Sequence, residues 1–480
     1  MKRYWRIGLV LLVAVAACSD KKAEQAAALK QEIQDLLAKT AGSGDKKTLS
    51  YGEVTVSPNG DVFDVTIDKV SVTVADAVPV DLGKIGFKLA PEGDDLRKFS
   101  DLSLPPSVTV KSEDGKENVK IALALDHGSG SWSKKTGQFL STDLLFKSVD
   151  ATQEITKDHV KGTDVGYVVT SKDGGDGRWD QQGALTAKNF VVTTSDGQLD
   201  LTDLALKSNI NGAKLAEIEA LRTDMKQAAE GKKTDQMFGV VGKMLQLFKS
   251  MNVAFSIGKT SVTAGGETVF TIGGFGFDFG MDEVDQPKSK ISTKLRYAAL
   301  AIPQLKALAG GLAAEVFPTD FSMTVSAADV PVSALVSAWS KTLPDMPATG
   351  EAALMGTGLA AVGAAQQVLA QSPLKLTVSD GTLAAPAVTG KFTGEVANAS
   401  ERPSGTLNVE FSDLDAVIAR AEQYQNEPTT GAILGVVQEM RALSERGIDA
   451  AGKPVDKFKV TFDASGTTLV NGKPLPMGAE

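Results

Sequence analysis

Alternation with a period of two residues is the feature that most constrains this chain. After Pro58-Asn59-Gly60, the apolar residues Phe63, Val65, Ile67, Val70, Val72 and Val74 interleave with Asp64, Thr66, Lys69, Ser71 and Thr73; Val54 and Val56 do the same before it. Successive side chains on a strand point to opposite faces, so the pattern gives a ribbon apolar on one side and wet on the other. That is the mark of an antiparallel sheet covered on one face. Similar runs occur at 84–89, 108–111 and 119–125, the last two joined around Asp114-Gly115, a hairpin signal. Further strands are expected at 139–149, 165–170, 184–194 and 198–206, with a turn at Asp196-Gly197, and the pattern restarts at 253.

Helical periodicity interrupts the strands. Leu29, Ile33, Leu36 and Leu37 lie on one face of an amphipathic helix over 20–42, closed by Ala41-Gly42-Ser43-Gly44. Helices are also expected at 212–229, 235–250, 294–315, 331–342, 351–371 and 430–446. The second of these carries Met237, Val240, Val241, Met244, Leu245 and Phe248, a stripe that suits either plain core or a soft ligand cavity. Ala352 to Pro373 carries no charge; its length would allow a membrane span, but Thr357, Gln366, Gln367 and Gln371 favour a close-packed buried helix.

A strand running directly into a helix recurs at Leu204–Ile218, Met323–Val336 and Leu407–Ile418, with Asn209, Asp329 and Asp413 placed to cap the helix starts. Gly52 to Ile67 can also be laid on Gly258 to Ile272, which reads as a two-fold internal repeat. The expected class is therefore α+β: long antiparallel β-meanders with helices packed across one face, to which a resemblance given below adds curvature. Four segments follow: a leader over 1–17, an anchor and helical spacer over 18–47, a β-rich half with a helical end over 48–250, and a β-rich half with interspersed helices over 251–480.

The leader has its own logic. Lys2, Arg3 and Arg6 precede the apolar run Ile7 to Ala17, which is short for a membrane span and ends in small residues. Val15-Ala16-Ala17-Cys18 resembles the lipobox of bacterial lipoproteins, and Cys18 is the only cysteine in 480 residues. The resemblance implies cleavage after Ala17, lipid on the Cys18 thiol and attachment to a membrane. Two or three acyl chains, at about 0.8 kcal/mol per buried methylene, make such an anchor effectively permanent. In these lipoproteins Asp directly after the cysteine favours retention at the inner membrane. Ser19 stands there instead, so the outer membrane, facing the periplasm, is expected.

Removing residues 1–17 takes three of the 50 Lys+Arg and none of the 59 Asp+Glu, leaving 463 residues with a net charge near −12. That balance argues against nucleic acid or anionic lipid headgroups as bulk partners. A lone cysteine cannot form an internal disulfide, so stability must come from packing. Only His127 and His159 are present, read as a turn and a polar-stretch residue, and there is no cysteine ligand set or Gly-x-Ser-x-Gly elbow. No catalytic residue, cofactor or metal is expected. Gly356-Thr357-Gly358-Leu359-Ala360-Ala361 spells a dinucleotide fingerprint without the preceding strand that it requires. Lys172 to Asp180 looks like a calcium loop but has Trp179 where the repeat wants Asp, and reads as a tight turn.

Phe275, Phe277 and Phe279 alternate with Gly274, Gly276 and Asp278, so three rings share one face of a strand. They read either as the centre of a core or as one wall of a groove for acyl chains, with glycine on the opposite face letting a helix approach. Phe317 to Val325, and the ending Phe458-Lys459-Val460-Thr461-Phe462 with Leu469 to Leu475, resemble the YdgA-type bacterial envelope proteins and the broader AsmA-like set. The resemblance covers about 250–475. It implies an elongated curved sheet with an apolar concave face and, for the AsmA-like set, a role in moving lipid across the periplasm. It brings no catalytic residues. Those proteins usually keep an N-terminal transmembrane helix, whereas this chain has a lipobox. The expected function is binding or shielding of an apolar ligand such as lipid in envelope biogenesis; the alternative is a scaffolding lipoprotein with a closed core that binds another envelope protein.

Overall fold

A computed structural model describes residues 20–41, 49–74, 78–111, 118–135, 138–218, 220–221, 240, 243–342, 363–372, 374–398, 404–412, 414–449, 452–463, 465 and 467–474. Cys18, the Asp114-Gly115 turn, Met237, Val241, Gly356 to Ala361 and Asp413 lie outside the described residues.

Antiparallel strands dominate, joined in one long meander sheet with a few helices, an α+β arrangement. In chain order they are β1 (Leu49–Ser50), β2 (Val54–Asn59), β3 (Val62–Val74), β4 (Val78–Glu92), β5 (Leu96–Ser103), β6 (Ser107–Lys111), β7 (Asn118–Ser133), β8 (Phe139–Gln153), β9 (His159–Gly175), β10 (Arg178–Thr193) and β11 (Gly197–Ala213). There follow β12 (Ser250–Ile257), β13 (Thr260–Ala264), β14 (Glu267–Ile272), β15 (Gly274–Asp282), β16 (Ser289–Ala298), β17 (Asp320–Val330), β18 (Leu374–Ala384), β19 (Thr389–Asn398), β20 (Ser404–Ser412), β21 (Glu445–Ile448), β22 (Pro454–Phe462), β23 (Thr468–Val470) and β24 (Lys473–Pro474). The chain divides into two compact units: Met1–Lys172 with Gln181–Lys207 and Thr260–Glu267, and Asp173–Asp180 with Ser208–Lys259 and Thr268–Glu480.

In the first unit, α1 (Asp20–Ala41) lies on the apolar face of the sheet. Leu29, Ile33 and Leu37 fall every four residues and so share one side of the helix. Ile33 and Leu37 are fully buried together with Val54, Ile67 and Leu89, each such side chain contributing about 1.5–3 kcal/mol. Glu32 pins the helix between Arg97, 3.4 Å away and itself buried, and Lys134 at 3.2 Å. At the helix start, Lys22 Nζ donates to the Gly60 carbonyl in the β2–β3 turn. Further round the same end of the sheet, the Ser133 hydroxyl and the Lys135 backbone N–H donate to Asp95. Those two bonds, the backbone one first, hold its carboxyl below the usual carboxylate range.

The strands keep one face apolar despite local breaks in register. Lys69, Asp101, Asp329 and Asp380 have φ of 53°, 54°, 61° and 52°, and the pairings at or beside them slip by a residue. Each is a β-bulge, an extra residue that would turn every later side chain to the wrong face. The sequence compensates: the buried set on β3 runs Phe63, Val65, Ile67 and then Val70, Val72. Asp tolerates the left-handed conformation better than most side chains because it can bond its own backbone.

In the second unit, β12 and β15 to β20 pair in turn, followed by β22. The helix Val332–Thr342, with Phe248, closes one cluster over Met281, Val284 and Val330. The helices Gly311–Val316, Leu414–Ala421 and Thr430–Leu443 close another over Phe411, Phe458 and Val470. Arg441 reaches the buried Asp456, which also accepts from Ser444 Oγ at 2.8 Å.

Three expectations are corrected. Residues 294–298 are strand, not helix: Ile291, Thr293, Leu295 and Tyr297 alternate with Ser292, Lys294 and Arg296, and β15 and β17 supply partners on both sides. Helix begins only at Leu305. His127 is not in a turn but inside β7, at a register slip, 3.3 Å from Asp143. Asp329 does not cap the helix after β17; it occupies its bulge, 3.4 Å from Lys288.

The bulges give a direct test. Asp380→Gly is expected to keep full stability, because glycine adopts this backbone freely. Asp380→Val is expected to lose about 1–2 kcal/mol, read from urea denaturation; equal stability of the two variants would show that the left-handed residue is not what sets the slip.

Candidate functional site

The second unit carries an apolar face built from rows of residues that meet across strands. One row is Ile257, Phe275, Tyr297, Phe321, Leu383 and Gly390; another is Val253, Phe279, Thr293, Val325, Val378 and Gly394. Between them, Phe255, Phe277, Leu295 and Met323 form a third. None of these side chains is charged. A row crosses six strands, about 24 Å at ~4.8 Å per strand.

Aromatic rings run along this face. Phe255 meets Phe275 edge-on at 6.2 Å, Tyr297 stacks on Phe321 at 5.7 Å, and Phe321 meets Phe392 at 6.1 Å, separations at which ring pairs attract. Gly381 makes the last contact possible, since a β-carbon there would collide with the Phe392 ring. Helices close the clusters that border the ladder, yet the rings between are only half-buried and Phe277 is 37% exposed. An exposed apolar face this wide and free of charge is one that hydrocarbon or another apolar surface can cover.

The structure divides the three phenylalanines singled out by sequence. Phe279 packs under the cluster closed by Val332–Thr342, Phe275 joins the aromatic ladder, and Phe277 stands most open. The glycines behind them do not admit a helix. The Arg296 side chain lies over Gly276, within 2.5 Å of where a β-carbon would be, and pairs with Asp278 at 2.9 Å. Sequence reasoning missed Phe255, Tyr297, Phe321 and Phe392. Each lies in an alternating strand, but only the pairing of strands far apart in the chain brings them together.

The other tempting positions are engaged in the fold. Asp173 accepts the Gly175 N–H at 2.9 Å within the β9–β10 turn, while Asp180 accepts the Gly212 N–H at 2.8 Å. His159 bonds Asp150 at 2.7 Å. Among the described residues no group of three or more His, Cys, Asp or Glu is placed to hold a metal ion, and no helix is long and apolar enough to cross a membrane.

Comparison with known proteins gave no match: no family model, no curated protein and no solved structure matches this chain.

Burial first, and the nearby Asp320 carboxylate second, raise the Tyr297 phenol above its ordinary value. The fold therefore retains the neutral phenol. Its contribution is complete below the ordinary phenol value and is lost as pH rises through the raised one. In an alkaline titration followed by ultraviolet absorbance, Tyr297→Phe should remove one late-ionising phenol; removal of one that ionises as a free tyrosine does would place the ring in water.

Proposed function

We propose that this chain is a lipoprotein of the outer membrane, facing the periplasm and held there by lipid on Cys18. Its apolar sheet face binds or shields the hydrocarbon part of a lipid during envelope biogenesis. One observation carries the second part: the uncharged rows around Phe277 stand open, where a closed core would have buried them. Full burial of such a side chain is worth about 1.5–3 kcal/mol and covering the part of Phe277 still exposed about 1 kcal/mol, so binding needs a ligand that lies across several rows. The leader and the Val15-Ala16-Ala17-Cys18 motif support the anchor. The proposed role needs no catalytic residue, cofactor or metal.

On this reading the curved sheet with helices along its apolar side is the ligand-holding device, and 52–67 and 258–272 are copies of one unit. Gly60 and Gly266, each eight residues after the first glycine of its copy, both have positive φ, 63° and 83°. The three closed clusters favour the second reading, a scaffolding lipoprotein that binds another envelope protein. The open ladder between two of them favours the first.

Protein lacking residues 1–18 can be purified, extracted into organic solvent and examined by mass spectrometry. Co-purifying lipid is expected, and Phe277→Asp should remove most of it. Wild-type protein without lipid, or a variant that keeps it, would count against the hydrocarbon site. Separately, Cys18→Ser is expected to leave the exported protein soluble in the periplasmic fraction; continued recovery with membranes would mean that the anchor lies elsewhere.

A further inference from the structure

We propose that the end of the first unit formed by the β2–β3, β4–β5 and β7–β8 turns is the surface held against the lipid bilayer. The inference rests on the reading that Cys18 carries lipid, and it follows from how α1 is attached. Only Ser19 separates Cys18 from the first residue of the helix, Asp20. Two Cα steps reach about 7 Å at most. The polar headgroup layer of each leaflet is itself only about 5–7 Å deep, so a lipidated cysteine brings the helix start to the membrane surface.

The helix is not a loose arm. Ile33 and Leu37 are fully buried in the sheet, and Glu32 is pinned by Arg97 and Lys134. A helix fixed to the body fixes the body to the anchor. Its first turn faces the β2–β3 turn, where Lys22 donates to the Gly60 carbonyl. Strand register places the other two turns at the same end: Phe63 pairs with Leu89, Glu92 with Leu96, and Leu96 with Ser133. Lys22, Lys134 and Lys135 lie there beside Glu92, Asp94 and Asp95. With both signs mixed, the short tether and not headgroup charge sets the contact, so salt should not alter it.

Lipidation consumes the only native thiol, so an introduced cysteine becomes a unique labelling site. Asp61→Cys places a fluorophore in the β2–β3 turn. Lys120→Cys places one thirteen residues along β7 from Ser133, about 40 Å away at ~3.3 Å per residue. Both residues are exposed. In full-length lipidated protein on phosphatidylcholine vesicles containing a headgroup-level quencher, the Asp61→Cys label should be quenched several-fold more than the Lys120→Cys label, at low and high salt alike. Inserting twenty Gly/Ser residues between Ser19 and Asp20, with a reach of about 25 Å, should abolish the difference. Equal quenching at both positions, or a difference that survives the insertion, in protein whose mass includes the diacylglyceryl group would overturn the orientation and leave the lipoprotein reading intact. A mass without lipid on Cys18 would overturn both.

Discussion

Long strands can keep a single apolar face only if every break in pairing is matched by a break in the sequence pattern. A bulge adds one residue to one strand, and period two then sends all later side chains to the opposite side. At Lys69 the apolar set shifts from odd to even positions, and at Asp380 it resumes with Gly381 and Leu383 after Val378. The burial of Ile67 and Val72 beneath α1 and the continuity of the row from Ile257 to Leu383 both depend on this matching. A deletion at one bulge would put Asp or Lys where a ring or a helix now rests.

Much of this is legible in local pattern. The slip between Ile67 and Val70 shows in the alternation itself, as does the four-residue spacing of Leu29, Ile33 and Leu37 that docks α1. The strand-to-helix passages at β17 and β20 also follow from local pattern. What local pattern could not carry was partnership. Residues 294–298 contain good helix formers, and only their position between β15 and β17 makes them strand. The aromatic ladder joins Phe255 to Phe392, more than a hundred residues apart, and no single segment announces it. For the same reason Phe275, Phe277 and Phe279 look equivalent in sequence, although neighbouring elements give each a different surrounding.

Charge fastens the helices at chosen points. Arg97 with Glu32 in the first unit, and Arg441 with Asp456 in the second, join a helix to a strand, with Arg97 and Asp456 buried and their partners partly exposed. Such pairs add little net stability over an apolar contact, but removing one partner leaves the buried member without its counter-charge. Their value here is position. Greasy helix faces could slide along a greasy sheet; a buried carboxylate that must meet one guanidinium holds them in register. Exposed pairs such as Lys98 with Glu92 contribute far less.

The docking of α1 also defines a load path. Tension applied to the chain ahead of Asp20 meets no slack segment and passes through Ile33, Leu37 and the Glu32 contacts into β2, β3 and β5. A drag on the N-terminal side is therefore borne by the hydrophobic core of the first unit, as shear between helix and sheet. Mechanical strength and folding stability therefore reside in the same few side chains, and weakening Ile33 weakens both.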